Sequence, residues 1–104
     1  MSMKLTFPDA EYGVILWAAN RGILAESDAE MQSMKTLEEV TELVWATKID
    51  DKEKIKDAIG DVAVTLILVA HFTGTTVEEC LSDAYHIIKE RQGKMVDGVF
   101  VKDE

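Results

Sequence analysis

At 104 residues the chain has room for one domain, and a chain of that size buries only about 60–70% of its unfolded surface. Eleven Lys and Arg against twenty Asp and Glu leave a net charge of −9, which disfavours a DNA or RNA polymer as partner, and the lone Cys80 excludes a disulfide framework and a cysteine zinc site. The opening "MSMKLTFPDAEYG" has no secretory h-region and the apolar run from Val62 to Ala70 is too short to span a bilayer, so a soluble, cytoplasmic protein with no membrane partner is expected.

In chain order, Pro8 favours the first turn of a helix that runs to about Asn20 and ends before Gly22. "RGILAE" then reads as a loop leading to Ser27, which forms an S-x-x-E capping box with Glu30 and starts a second helix over about Asp28 to Lys48. In "KIDDKE", Asp50 and Glu53 form a second box, for a third helix from about Asp51 to Thr73 ahead of Gly74. Thr76 and Glu79 form a third, for a fourth helix from about Val77 to Arg91. In the tail "GKMVDGVFVKDE", Val96 and Val99 flank Asp-Gly, the sequence of a two-residue hairpin turn. The expected class is all-α, a four-helix bundle in a single domain over residues 1–104, with a short C-terminal hairpin or extended segment.

The chain is 47% hydrophobic, and its third helix carries Val62, Val64, Leu66, Ile67, Leu68 and Val69 around most of its circumference. A helix that is apolar all round is buried on several sides. One short chain cannot cover it, so a homodimer or a dimer of dimers packed through the third and fourth helices is expected.

The same helix opens "DAIGDVAVTLILVAHF", in which Asp61 is the only formal charge from Ala58 to Phe72. At 100° per residue, Asp61 falls about 40° from Asp57 and shares its stripe with Val64 and Leu68, so both acids are expected to point inward. Buried carboxylates need a partner, a hydrogen bond or a metal. The second helix carries "KTLEEVTEL", with Met34, Leu37, Val40, Thr41 and Val44 as its expected buried stripe and Glu38, Glu39 and Glu42 beside it. The short connection makes the two helices antiparallel, which sets Glu42 level with residue 58 and Glu39 with residue 61. Asp57 and Asp61 then face Glu38, Glu39 and Glu42. So many carboxylates cannot all stay ionised without cations, and oxygen-only ligands select Mg²⁺ or Mn²⁺. Singly, the three glutamates read as a solvated face and Asp61 as a helix-terminal acid; it is the joint arrangement that points to metal. His71, His86 and Asp83 form no Glu-x-x-His pair, and no Gly-rich phosphate loop or nucleophile constellation is present.

"EEVTEL" followed by "DAIGDV" resembles the MazG-like nucleoside triphosphate pyrophosphohydrolases of the all-α NTP pyrophosphatase superfamily, marked by E-E-x-x-E on one helix and E-x-x-D on the next, all binding magnesium. Glu38, Glu39 and Glu42 match the first part and Asp61 the last acid; Ala58 stands where the pattern has Glu, with Asp57 one residue earlier on the same face. "WAANRGI", "QSMKTLEE" and "AYHIIKERQGKMVDGVFVKDE" extend the likeness over nearly the whole chain. The resemblance implies Mg²⁺-dependent hydrolysis of a nucleoside triphosphate to the monophosphate and pyrophosphate, of the kind that house-cleans nucleotide pools, with Glu38 or Glu39 as the base. Lys35, Lys89, Arg91 and Lys94 are candidate phosphate contacts or solvated cations. Trp17 reads as a base-stacking platform or as core, with Asn20 and Gln32 as amides able to read a base edge. The alternative is a noncatalytic helical module that binds nucleotide or protein.

Overall fold

A computed structural model describes residues 3–104; the first two residues of the opening segment lie outside it. The described chain is mostly helical, with helices α1 (Phe7–Asn20), α2 (Ile23–Glu26), α3 (Ala29–Lys48), α4 (Lys52–Phe72) and α5 (Val77–Ile88). A two-stranded antiparallel sheet, β1 (Gly93–Val96) and β2 (Val99–Lys102), follows. No single described helix is long and apolar enough to cross a membrane.

The starts of α1, α3, α4 and α5 are fixed by side-chain caps, two of them one residue later than the boxes in the sequence. Asp28, not Ser27, accepts from the Met31 amide at 2.7 Å, while Ser27 accepts from the Gln32 side-chain amide at 3.0 Å. Asp51, not Asp50, caps α4 by accepting from the Lys54 amide at 3.1 Å. Asp50 is spent on ending α3: it takes the left-handed conformation (φ 53°), its amide donates to the Thr47 carbonyl and the next amide to that of Ala46. That double closure is a Schellman turn, and it leaves Asp51 as the first residue free to cap. Gly74 (φ 84°) closes α4 in the same way. Thr76 caps α5 as its box requires, accepting from the Glu79 amide at 3.1 Å. "RGILAE" differs from expectation: Gly22 enters the left-handed region at φ 82° and the next four residues coil into the single turn α2. Helix α5 ends at Ile88, three residues short of Arg91, in a tightening turn.

Helices α3 and α4 pack along their length, and α1 lies across α4. The buried apolar residues are Ala18, Ala46, Ala58, Ile67, Leu68 and Ala70, four of them alanines, so the helices approach closely around a thin core. The expected buried stripe of α3 is corrected: Met34, Leu37, Val40, Thr41 and Val44 are all exposed, Leu37 to 61%. The packed face carries Glu39 and Ala46 instead, with Thr36 donating its hydroxyl to Thr65 across the interface at 2.8 Å. Helix α4 carries the greasier surface, so α3 faces it with small and polar residues and leaves its own apolar stripe outside. No residue of α5 or of the two strands is buried.

Candidate metal centre

The Thr36–Thr65 hydrogen bond fixes the antiparallel register of α3 against α4. One turn towards the α3–α4 connection, this brings Glu39 and Glu42 to Asp61, and one carboxylate oxygen from each lies within 4.8 Å of the others. Glu39 with Asp61 is the pairing that the short connection implies. Of the three, Glu39 is the buried one, 9% exposed, and its Oε2 has no hydrogen-bond partner. Its Oε1 lies 3.6 Å from the Lys35 ammonium, which is also 3.2 Å from Oε1 of Glu38.

Charge follows position. Burial, then the Glu42 and Asp61 carboxylates, raise the carboxyl pKa of Glu39 above its ordinary value, and Lys35 opposes this. Lys35 is itself raised, chiefly by its hydrogen bond and attraction to Glu38. A carboxylate oxygen without a donor, in a low-dielectric position beside two further carboxylates, is what a hard cation relieves. Three oxygen donors that need only small side-chain movements to converge, with room left for water, fit Mg²⁺ or Mn²⁺.

Two pockets flank the acids. One of about 430 Å³ is walled by Trp17, Ile23, Met31, Gln32, Lys35 and Glu39 among others. The other, of about 390 Å³, is lined by Glu42, Trp45, Lys54, Asp57 and Ala58. Asp61 borders both.

Of the residues singled out in the sequence, the structure therefore brings together Glu39, Glu42 and Asp61, and sets Trp17, Gln32 and Lys35 in the pocket next to them. Glu38 lies outside the triad: about 100° round the helix from Glu39, its side chain is 60% exposed and paired with Lys35. Asp57 and Asp61 are not buried, contrary to expectation. Asp61 does take an inward bearing, between Thr65 and Leu68 on the helix, but the space it meets is the meeting point of two clefts rather than packed core. Asp57, one turn nearer the start of α4, lines the smaller pocket outside the triad. Asn20 is exposed at the last position of α1, and Lys89, Arg91 and Lys94 lie exposed past α5 and on β1; none of the four lines either pocket.

Sequence reasoning missed Trp45 and Lys54. Both were within its reach: Trp45 follows Glu42 by three, and Lys54 precedes Asp57 by three and Asp61 by seven, which on helices puts them on the acids' own faces. No family model, curated protein or solved structure matches the chain.

Proposed function

We propose that the chain is a Mg²⁺-dependent nucleoside triphosphate pyrophosphohydrolase of the MazG-like kind, cleaving (deoxy)nucleoside triphosphates to the monophosphate and pyrophosphate. The reading is carried by the buried, partnerless Oε2 of Glu39 beside Glu42 and Asp61, and the resemblance of "EEVTEL…DAIGDV" supplies the reaction. Glu39, Glu42 and Asp61 would hold the cation, with Asp57 as an outer contributor. When bound, the cation supplies screening of the triphosphate charge and acidification of the attacking water.

The remaining roles belong to the chain's own side chains. Water adds to a phosphorus, the phosphoanhydride P–O bond breaks towards the leaving group, and a carboxylate accepts the proton. Glu38 takes that part, since it is outside the triad, solvent-facing and held in place by Lys35. The Lys35 ammonium also contacts the phosphates, and Trp17 and Gln32 receive the base by stacking and by an edge hydrogen bond. Copies of the chain associate as a homodimer or a dimer of dimers through α4 and α5, whose Leu66, Leu81, Tyr85 and Ile88 have no cover within one chain.

The test is pyrophosphate release from a panel of NTPs and dNTPs with Mg²⁺, set against the same panel with EDTA. Metal-dependent release from at least one member is expected; none from any member sinks the reading. One observation favours a second reading, a noncatalytic nucleotide- or protein-binding module: Ala58, 5% exposed, sits where the MazG-like pattern has a glutamate, and its methyl group forms a pocket wall with no oxygen to offer. That reading predicts nucleotide binding without turnover in the same panel.

A further inference from the structure

The acids stand midway along a trough between α3 and α4. On α4, Lys54 and Leu68 lie seven residues either side of Asp61, two turns or about 10 Å each way, and so share its stripe. Lys54 lines the smaller pocket, Leu68 the larger, and Asp61 borders both. Helix α3 repeats the order, with Gln32, Lys35, Glu39, Glu42 and Ala46 recurring on one stripe at three- and four-residue spacing. The first three line the larger pocket, and Glu42 and Ala46 line the smaller.

The two ends of the trough are alike. At about 430 and 390 Å³, both fall in the range that holds a small organic ligand. Each carries one indole and one ammonium, Trp17 with Lys35 and Trp45 with Lys54, and these are the only tryptophans of the chain. Trp17 is 44% exposed and Trp45 62%, which leaves ring surface open to stacking at either end. A nucleoside triphosphate occupies one end only. With its base on Trp17 and its phosphates over the acids, pyrophosphate leaves towards the smaller pocket. Lys54 suits a phosphate there, but Trp45, Ala46 and Ala58 form an aromatic and methyl wall, and pyrophosphate has no apolar face to set against it.

We propose that the smaller pocket receives a second nucleoside, and that the favoured substrates are dinucleoside polyphosphates, two nucleosides joined 5′ to 5′ through a phosphate chain. The inference rests on the pyrophosphohydrolase reading of the acids and adds to it the identity of the leaving group. In a dinucleoside tetraphosphate, one base stacks on Trp17 and the other on Trp45, with Lys35 and Lys54 on the phosphates to either side of the acids. The oxygen of water bonds to one phosphorus of the α–β link as the bond from that phosphorus to the bridging oxygen breaks, and Glu38 takes the released proton. One nucleoside monophosphate and one nucleoside triphosphate form. The triphosphate leaves from Trp45 and Lys54, where a simple substrate would release pyrophosphate.

One tryptophan in each pocket makes the occupants readable by fluorescence. In Trp17→Phe the indole emission comes from Trp45 alone, and in Trp45→Phe from Trp17 alone. Both variants are titrated, with Mg²⁺ present, against uncleavable methylene-bridged analogues of a nucleoside triphosphate and of a dinucleoside tetraphosphate, each made with the four common bases. Both kinds of analogue should quench Trp17, and only the dinucleoside kind should quench Trp45. In turnover, the parent's kcat/KM should be about tenfold higher for the dinucleoside tetraphosphate than for the triphosphate, the worth of one more stacked base, and Trp45→Ala should abolish that advantage. Trp45 emission that responds equally to both kinds, or to neither, overturns the proposal. So does a parent that cleaves the triphosphate and leaves the dinucleoside compound intact, an outcome that spares the pyrophosphohydrolase reading. A parent that cleaves neither compound with any base overturns both.

Discussion

The α3–α4 pair and the arm that begins at α5 solve the same problem in opposite ways. In the pair, small residues (Ala46, Ala58) let two helices close on each other, and the space between them is tight enough to strip water from a glutamate. From α5 onward, large apolar residues at correct helical and strand spacing stay mostly exposed, and none of them is buried. The contrast shows that amphipathic spacing states which residues seek cover, whereas side-chain volume decides which pair of elements can provide it. Alanine on both sides of an interface permits an approach that Leu37 or Met34 would block, so α3 turns its small face inward.

The sharpest way to break this comparison is to neutralise acids at the close-packed interface. Glu39→Gln, Glu42→Gln and Asp61→Asn should each lower pyrophosphate release by on the order of a hundredfold or more, with helical content unchanged, because each removes an oxygen that a cation would use. Parent rates in any of them, measured with a triphosphate that the parent cleaves, would separate the buried acids from catalysis.

Truncation in the two regions should differ next. Leu68, 2% exposed, is the largest side chain that the described chain buries completely. Leu68→Ala should cost about 2–5 kcal/mol in urea unfolding, as transfer and cavity contributions add. Val101→Ala on the arm should change the unfolding of the dissociated chain by less than about 0.5 kcal/mol. Equal losses at the two positions, at a concentration where the chain is monomeric, would mean that the hairpin packs on its own helices.

Part of this was legible in the sequence. The Thr76 capping box, the Asp-Gly hairpin turn and the pairing of Glu39 with Asp61 follow from local rules: a cap, a turn type, and a short connection that forces antiparallel register. The burial of Glu39 does not. Periodicity gave α3 the apolar stripe Met34–Leu37–Val44 as its inner face, and nothing local to α3 reveals that α4 prefers the face with Thr36, Glu39 and Ala46. Asp50 and Asp51 show the same limit at short range. Both are able caps, and only the closure of α3 through a left-handed Asp50 decides between them.

A third test uses pH, in the metal-free chain. The carboxyl of Glu39 has its pKa raised on folding, so between its ordinary value of 4.5 and its raised value the folded chain holds more of a proton than the unfolded one. Stability from this group therefore falls as pH rises through that window, the reverse of a carboxylate in a favourable ion pair. Comparison of Glu39→Gln with the parent isolates the contribution: the difference should favour the variant increasingly above pH 4.5 and level off once Glu39 is ionised. Saturating Mg²⁺ should shrink it, since a cation that binds only the folded state offsets the cost of the bare charge. A parent-minus-variant difference that is flat with pH would show that burial places no penalty on Glu39.

The smallest effect is expected at Asp57, and it separates the triad from its surroundings. Asp57 is exposed and lines the smaller pocket with Glu42, Asp61 and Lys54, one helical turn from Asp61 and outside the group whose oxygens converge. As the sixth residue of α4 it lies past the first turn, where the helix dipole acts most, so its charge adds at most a few tenths of a kcal/mol, about 0.3, to the helix. Asp57→Asn should therefore lower stability by no more than a few tenths of a kcal/mol. Its distinctive effect should be to raise the Mg²⁺ concentration for half-maximal turnover by a factor of about ten, the low end of what loss of an outer-shell partner to a cation costs. Ala58→Glu supplies the counterpart, placing an oxygen where the MazG-like pattern has one, at the cost of crowding a wall that is now 5% exposed. If Asp57 assists the cation, Ala58→Glu added to Asp57→Asn should bring the Mg²⁺ requirement back towards the parent's. An unchanged Mg²⁺ titration in Asp57→Asn would confine the site to Glu39, Glu42 and Asp61 and leave Asp57 as an exposed charge.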